Sequence, residues 1–147
     1  MNTIRPLLDR RTPEWTPSHV DRVPLMRHLV GGFFLVMGGV HLGLATGDPQ
    51  VYRHFADGAL FPFVSDGWQD IVMTNPSLYG LLLMTGEVVL GTCLLVGGRA
   101  LAAGWAGVIG FHLLLMLFGF GFWAWSVPVL ALLVPVAIHD LERKDLS

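Results

Sequence analysis

Glu87, His112 and His41 are the side chains in this sequence whose types and setting could do chemistry. All three lie inside long apolar stretches, where a carboxyl or imidazole group is costly unless it is paired, protonated or hydrated. Such a residue is a functional-site candidate on that ground. One carboxyl and two imidazoles could hold the polar head group of a quinone, move a proton or ligate a metal ion. The spacings H-x-x-x-H and E-x-x-H that mark a preformed metal site are absent, so no metal is expected.

Depth decides which of the three should meet. A helix opening near Pro76 puts Glu87 eleven residues in, roughly 16 Å deep at ~1.5 Å per residue. His112 stands twelve residues from the inner end of its own helix, roughly 18 Å deep. His41 is about five residues from its outer end, roughly 8 Å down. The expectation is a Glu87–His112 pair near mid-membrane, with His41 above it, reaching it through water or a ligand. The same offset argues against a haem held between His41 and His112. Glu87 and His112 are thus the catalytic candidates, and His41, Glu87 and His112 the binding set. The residues alone leave the cofactor unidentified, with quinone as a candidate. The competing reading is a protonated Glu87 bonded to His112 or to a backbone carbonyl, serving only to lock helices together.

The elements that must position these groups are legible in the charges. The 147 residues are 53% hydrophobic and 14% charged, with a mean hydropathy of +0.60; a soluble domain carries nearer ~25% charged residues. Charged residues are absent from 28–47 and from 100–139, and Glu87 stands alone between Asp70 and Arg99. A helix needs ~20 apolar residues to cross the hydrocarbon layer, and the forty residues 100–139 suffice for two crossings. The expected fold is all-α, a four-helix transmembrane bundle spanning about 25–45, 77–96, 100–118 and 126–138. It comprises an N-terminal arm (1–23), a membrane domain (24–139) with an amphipathic external segment at 46–76, and a tail (140–147).

Eight of the nine Lys and Arg residues fall on one side of these spans, Arg53 being the exception. The positive-inside rule therefore places both termini in the cytoplasm. Leu29–Ala45 could be misread as the core of a cleaved signal peptide, but the charge pattern makes sense only if this helix stays. No basic patch suggests nucleic acid. The single cysteine, Cys93, allows neither an internal disulfide nor a C-x-x-C pair, which removes the quinone-coupled disulfide oxidases.

In the arm, Pro6, Pro13, Pro17 and Pro24 argue against a long helix, and Trp15 could anchor it at the headgroups. Gly31, Phe34, Gly38, His41 and Ala45 form one helical stripe, and Gly80, Met84, Glu87, Gly91, Leu94 and Gly98 another. Small residues on such stripes allow close helix approach, so both should face protein. Asp48–Pro49 and Asn75–Pro76 are N-cap and first-turn signatures. The first predicts a short helix over about Pro49–Ala59. Phe61, Phe63, Trp68 and Ile71 must then lie in the interface or fold back over the bundle.

The stretch GLLLMTGEVVLGTCLLVGGRALAAGWAGVIGFHLLL, residues 80–115, resembles the DoxX/DoxD-like family of small bacterial four-helix membrane proteins. The matching features are Glu87, Gly91, the Leu94-Leu95-x-Gly97 stretch, and Arg99 before an Ala/Gly-rich helix. His41 stands where family members often carry a Lys. The resemblance implies a four-helix bundle in the bacterial cytoplasmic membrane and a link to membrane redox chemistry: some members look like membrane subunits of thiosulfate:quinone oxidoreductases, and others accompany oxidative-stress or thiol enzymes, so any enzymatic role here would be as part of a quinone-linked oxidoreductase. The bilayer is the expected environment, with a protein partner or further copies of the chain. An accessory structural subunit and a proton or solute pathway through an oligomer remain the alternatives.

Overall fold

The computed structural model describes residues 22–145; the expectations for the arm at 1–21, Trp15 among them, fall outside the described residues. Helix α1 (Arg22–Gly47) is followed by a 3-10 turn (Pro49–His54) and a short helix α2 (Pro62–Asp70). Then come α3 (Pro76–Val96), α4 (Leu101–Leu115) and α5 (Phe120–Asp145). Every regular element among the described residues is helical, and α1, α3, α4 and α5 form a four-helix bundle. Four stretches are long and apolar enough to cross a membrane: Val23–Gly47, Pro76–Val96, Gly98–Phe118 and Phe120–Arg143. Their outward faces are apolar, with Val36, Val96, Leu114 and Ile138 more than half exposed. A bilayer covers such a surface and water does not. This is a multi-pass membrane protein.

The two small-residue stripes meet. A Cβ on Gly91 would lie 2.7 Å from the Gly31 carbonyl oxygen, and one on Gly80 would lie 2.8 Å from the Ala45 Cβ. The α1–α3 backbones are therefore nearly in contact, the arrangement that drives association where lipid supplies no hydrophobic force. All five residues of the α1 stripe are buried, as are Gly80, Glu87, Gly91 and Leu94 of the α3 stripe. Phe34, Leu94, Trp105, Val108 and Leu133 make the core between the four helices. By contrast, α1 and α5 touch only sparsely, which leaves a cleft between them.

Several boundaries differ from expectation: α1 begins at Arg22, and α5 runs seven residues past 138 into the expected tail. The last span begins at Phe120 rather than near 126, so Trp123, Trp125 and Pro128 lie within α5. The cause is Gly119: its φ of +113° completes the turn in one residue, a conformation that glycine adopts without penalty. A side chain there would also collide with the Gly58 carbonyl. The helix continues through Pro128 and Pro135 to Asp145.

The expected Pro49–Ala59 helix is instead a 3-10 turn ending at His54, capped by Asp48 accepting from the Gln50 N–H. After it the chain folds back. Phe55 stacks on Trp68 and packs against Phe118 and Phe122. The Leu60 N–H donates to the Leu117 carbonyl at 3.0 Å. Phe61, Phe63 and Ile71 stay exposed. The segment divides between the two arrangements considered for it, one aromatic face on the bundle and the other outward.

At the opposite end of the bundle, a polar tie joins three helices. The Trp105 Nε1–H donates to Asp140 Oδ2 at 2.9 Å, and Arg27 Nη1 lies 3.6 Å from Asp140 Oδ1. Asp140, assigned to the tail from sequence, is 5% exposed. Arg27–Asp140 links α1 to α5 where their apolar contact is sparse.

Candidate functional site

A cavity of about 580 Å³ occupies the cleft, lined by Phe33, Phe34, Met37 and His41 of α1 and by Glu87 of α3. Phe111, His112 and Leu115 of α4, Gly121, Phe122 and Trp125 of α5, and Phe55 from the folded-back segment complete it. A second space of about 200 Å³ shares Phe33, Phe34, His112 and Trp125 with it and extends along α1 and α5 to Leu29 and Leu133. Phe33 and Trp125, both partly exposed, sit on the side where α1 and α5 part. The walls are aromatic and aliphatic, and the polar groups number three: His41, Glu87 and His112. The three residues singled out from sequence thus line one cavity.

Their pairing is different. His41 Nε2 lies 3.6 Å from Glu87 Oε1, whereas no hydrogen bond or ion pair joins Glu87 to His112 among the described residues. The reason is that the ends of α1 and α3 are not flush. Gly80 stands level with Ala45, so Glu87, seven residues further along α3, stands level with Gly38. His41 is three residues away along α1, a rise of only ~4.5 Å, which two long side chains bridge. His112 is occupied otherwise: its Nδ1–H donates to the Val108 carbonyl at 2.9 Å, and its ring packs edge-on to Phe34 and Phe111. When the imidazole carries one proton, that bond holds it on Nδ1 and leaves Nε2 as an acceptor.

Sequence reasoning missed Tyr52. The Tyr52 hydroxyl and His41 Nδ1 are hydrogen-bonded at 2.8 Å, and the two rings stack with an interplanar angle of 16°. Tyr52 is held from above by Trp68, whose Nε1–H donates to the Tyr52 carbonyl at 2.8 Å. Burial, and secondarily the Glu87 charge, push the phenol above its ordinary range, so the hydroxyl keeps its proton at neutral pH. The available signal was the Asp48–Pro49 cap, which places Tyr52 one turn into an ordered element.

Glu87 is 3% exposed, and its Oε2 is buried with no hydrogen-bond partner. Beside the cavity, that oxygen is available as an acceptor for water or for a bound molecule. Among the described residues no group of three or more His, Cys, Asp or Glu converges closely enough to hold a metal ion. Comparison of the chain with known protein families, with curated proteins and with solved structures finds no match.

Proposed function

We propose that this chain is a DoxX-like membrane subunit that binds the head group of a quinone-class amphiphile in the cavity between α1 and α5. The observation that carries the reading is the cavity's composition: apolar walls around three convergent polar side chains, at membrane depth, with a cleft on the lipid side. Its volume of about 580 Å³ lies within the ~300–1,000 Å³ usual for small-molecule sites. The fit rests on the chemistry of the donors and acceptors. Phe33, Phe34 and Trp125 offer faces for a flat ring, and the α1/α5 cleft offers an apolar path for a tail. His112 Nε2 is positioned to accept from a hydroxyl, and the His41–Glu87 pair can give or take a proton.

Bound here, a quinone would supply a two-electron, two-proton couple. The chain's own residues hold the ring, exclude water and handle protons; the electrons would come from a redox protein partner at the membrane surface. The charge asymmetry of the sequence supports a bacterial cytoplasmic membrane with both termini in the cytoplasm. The Glu87 Oε2, buried and without a protein partner, is an acceptor that a bound head group could use.

The test is a titration in lipid nanodiscs with a short-chain quinone, read by quenching of tryptophan fluorescence. Saturable quenching is expected, with most of the signal lost in Trp125→Phe and the affinity reduced at least ten-fold in His112→Leu. Quenching that rises linearly with quinone, and is identical in both variants, would defeat the proposal.

A further inference from the structure

Tyr52 lies between two cavities. On one side it bonds to His41, a lining residue of the large cavity. On the other it lines a separate space of about 110 Å³, together with Trp68, Val72, Tyr79, Gly80 and Leu83. That volume exceeds the ~10–15 Å³ that one water needs; its walls are largely apolar, and the tyrosines Tyr52 and Tyr79 supply the polar groups to which a water could bond. The order Glu87, His41, Tyr52 and small cavity therefore leads from membrane depth toward the water phase at the end of the bundle that carries residues 48–75. The distances along it are 3.6 Å from Glu87 Oε1 to His41 Nε2 and 2.8 Å from His41 Nδ1 to the phenol oxygen. Each member can both give and take a proton.

We propose that Tyr52 is a proton-transfer residue, the last side chain of a relay that connects Glu87 to water in the small cavity. In the outward direction the Glu87 carboxyl proton passes to His41 Nε2, once a small side-chain rotation or one bridging water closes the 3.6 Å gap between them. The His41 Nδ1 proton passes to the Tyr52 oxygen, and the Tyr52 hydroxyl proton passes to water. One proton leaves Glu87 and one enters water; no electron moves, and the imidazole ends as its other tautomer. The titratable groups facing Tyr52 are His41 from α1, and Glu87 and Tyr79 from α3; α2 contributes the neutral Trp68. The relay gives the quinone reading its source and sink of protons, and to that extent rests on it.

Proteoliposomes with an external pH jump test the relay without any quinone. The rate at which Glu87 changes protonation is read from its carboxylic acid C=O infrared band, assigned by its loss in Glu87→Gln. Tyr52→Phe keeps the ring stacked on His41 and removes only the hydroxyl, and it should slow this rate at least ten-fold. Incorporation of 3-fluorotyrosine at position 52 keeps the shape and makes the phenol more acidic, so it should change the rate even if Tyr52→Phe folds poorly. A wild-type rate with 3-fluorotyrosine, or in a folded Tyr52→Phe, would overturn the relay, as would a Glu87 band that does not respond to the jump. Quinone binding in Tyr52→Phe is measured separately. A slow relay with normal quinone affinity supports both readings, while a working relay in a protein that binds no quinone supports the relay and removes the quinone.

Discussion

His41 and Glu87 come from different helices and bring Nε2 and Oε1 to 3.6 Å of one another, while the second carboxyl oxygen of Glu87 is buried without a partner. The pair is therefore made on one side only. The close backbone approach of α1 and α3 sets the register that brings it together, and the cavity begins where the pair ends.

Replacing Glu87 should separate its roles. Glu87→Gln keeps size and hydrogen bonding but cannot titrate; it should purify and melt like wild type yet fail in the quinone-linked activity proposed above. Glu87→Leu should also lose stability, on the order of 1 kcal/mol for an interhelical polar contact. Full activity of Glu87→Gln in the native membrane would make the residue a structural tie.

The packing account predicts unequal effects from neighbouring positions. Gly91→Leu would drive a side chain into the Gly31 backbone and should abolish assembly or lower the melting temperature steeply. Val89→Leu, at a position 52% exposed to lipid, should be nearly neutral. Thermal unfolding of both variants in the same detergent is the check, and equal melting temperatures would mean that the α1–α3 seam is misplaced.

The tie among Arg27, Trp105 and Asp140 gives a third expectation. Trp105→Phe removes the bond to Asp140 and should cost about 1.5–3 kcal/mol, the range for hydrogen bonds to charged groups. Asp140→Ala strands Arg27 and should cost more than Trp105→Phe, though less than the ~3–5 kcal/mol of a fully buried pair, because the Arg27 side chain is 22% exposed. Chemical denaturation of the two variants against wild type orders the effects.

Tyr52 should titrate late. The chain has two tyrosines, so in Tyr79→Phe the remaining phenolate absorbance belongs to Tyr52. It should appear above the ordinary value of ~10, because burial and the Glu87 charge oppose ionisation. With the folded value raised, this group's contribution to stability is complete below the unfolded value and is lost as pH rises through the folded one. Ionisation at or below the ordinary value would mean that Tyr52 is not enclosed.

Much of this was legible in the sequence, because hydrophobic length and small-residue spacing act locally. The α1 stripe from Gly31 to Ala45 and the α3 stripe from Gly80 to Leu94 are buried together, and the cap at Asn75 accepts from the Leu78 N–H. What the sequence did not reveal depends on how far one helix slides past another. The level of Ala45 against Gly80 decides that Glu87 meets His41, and no residue pattern reports it. Tyr52 and Asp140 were missed for a related reason. Both lie at the edges of apolar segments, where composition reads as polar surface, and tertiary contacts with His41 and Trp105 bury them.

The central claim is that the α1/α5 cavity holds a quinone ring, and photolabelling tests it most directly. An azidoquinone irradiated with the protein in native-like membranes should attach within the peptides spanning Phe33–His41 and Phe111–Trp125, whose residues line the cavity. An excess of unmodified quinone should prevent the labelling. Labels scattered over the lipid-facing residues of all four spans, and undiminished by competitor, would contradict the account.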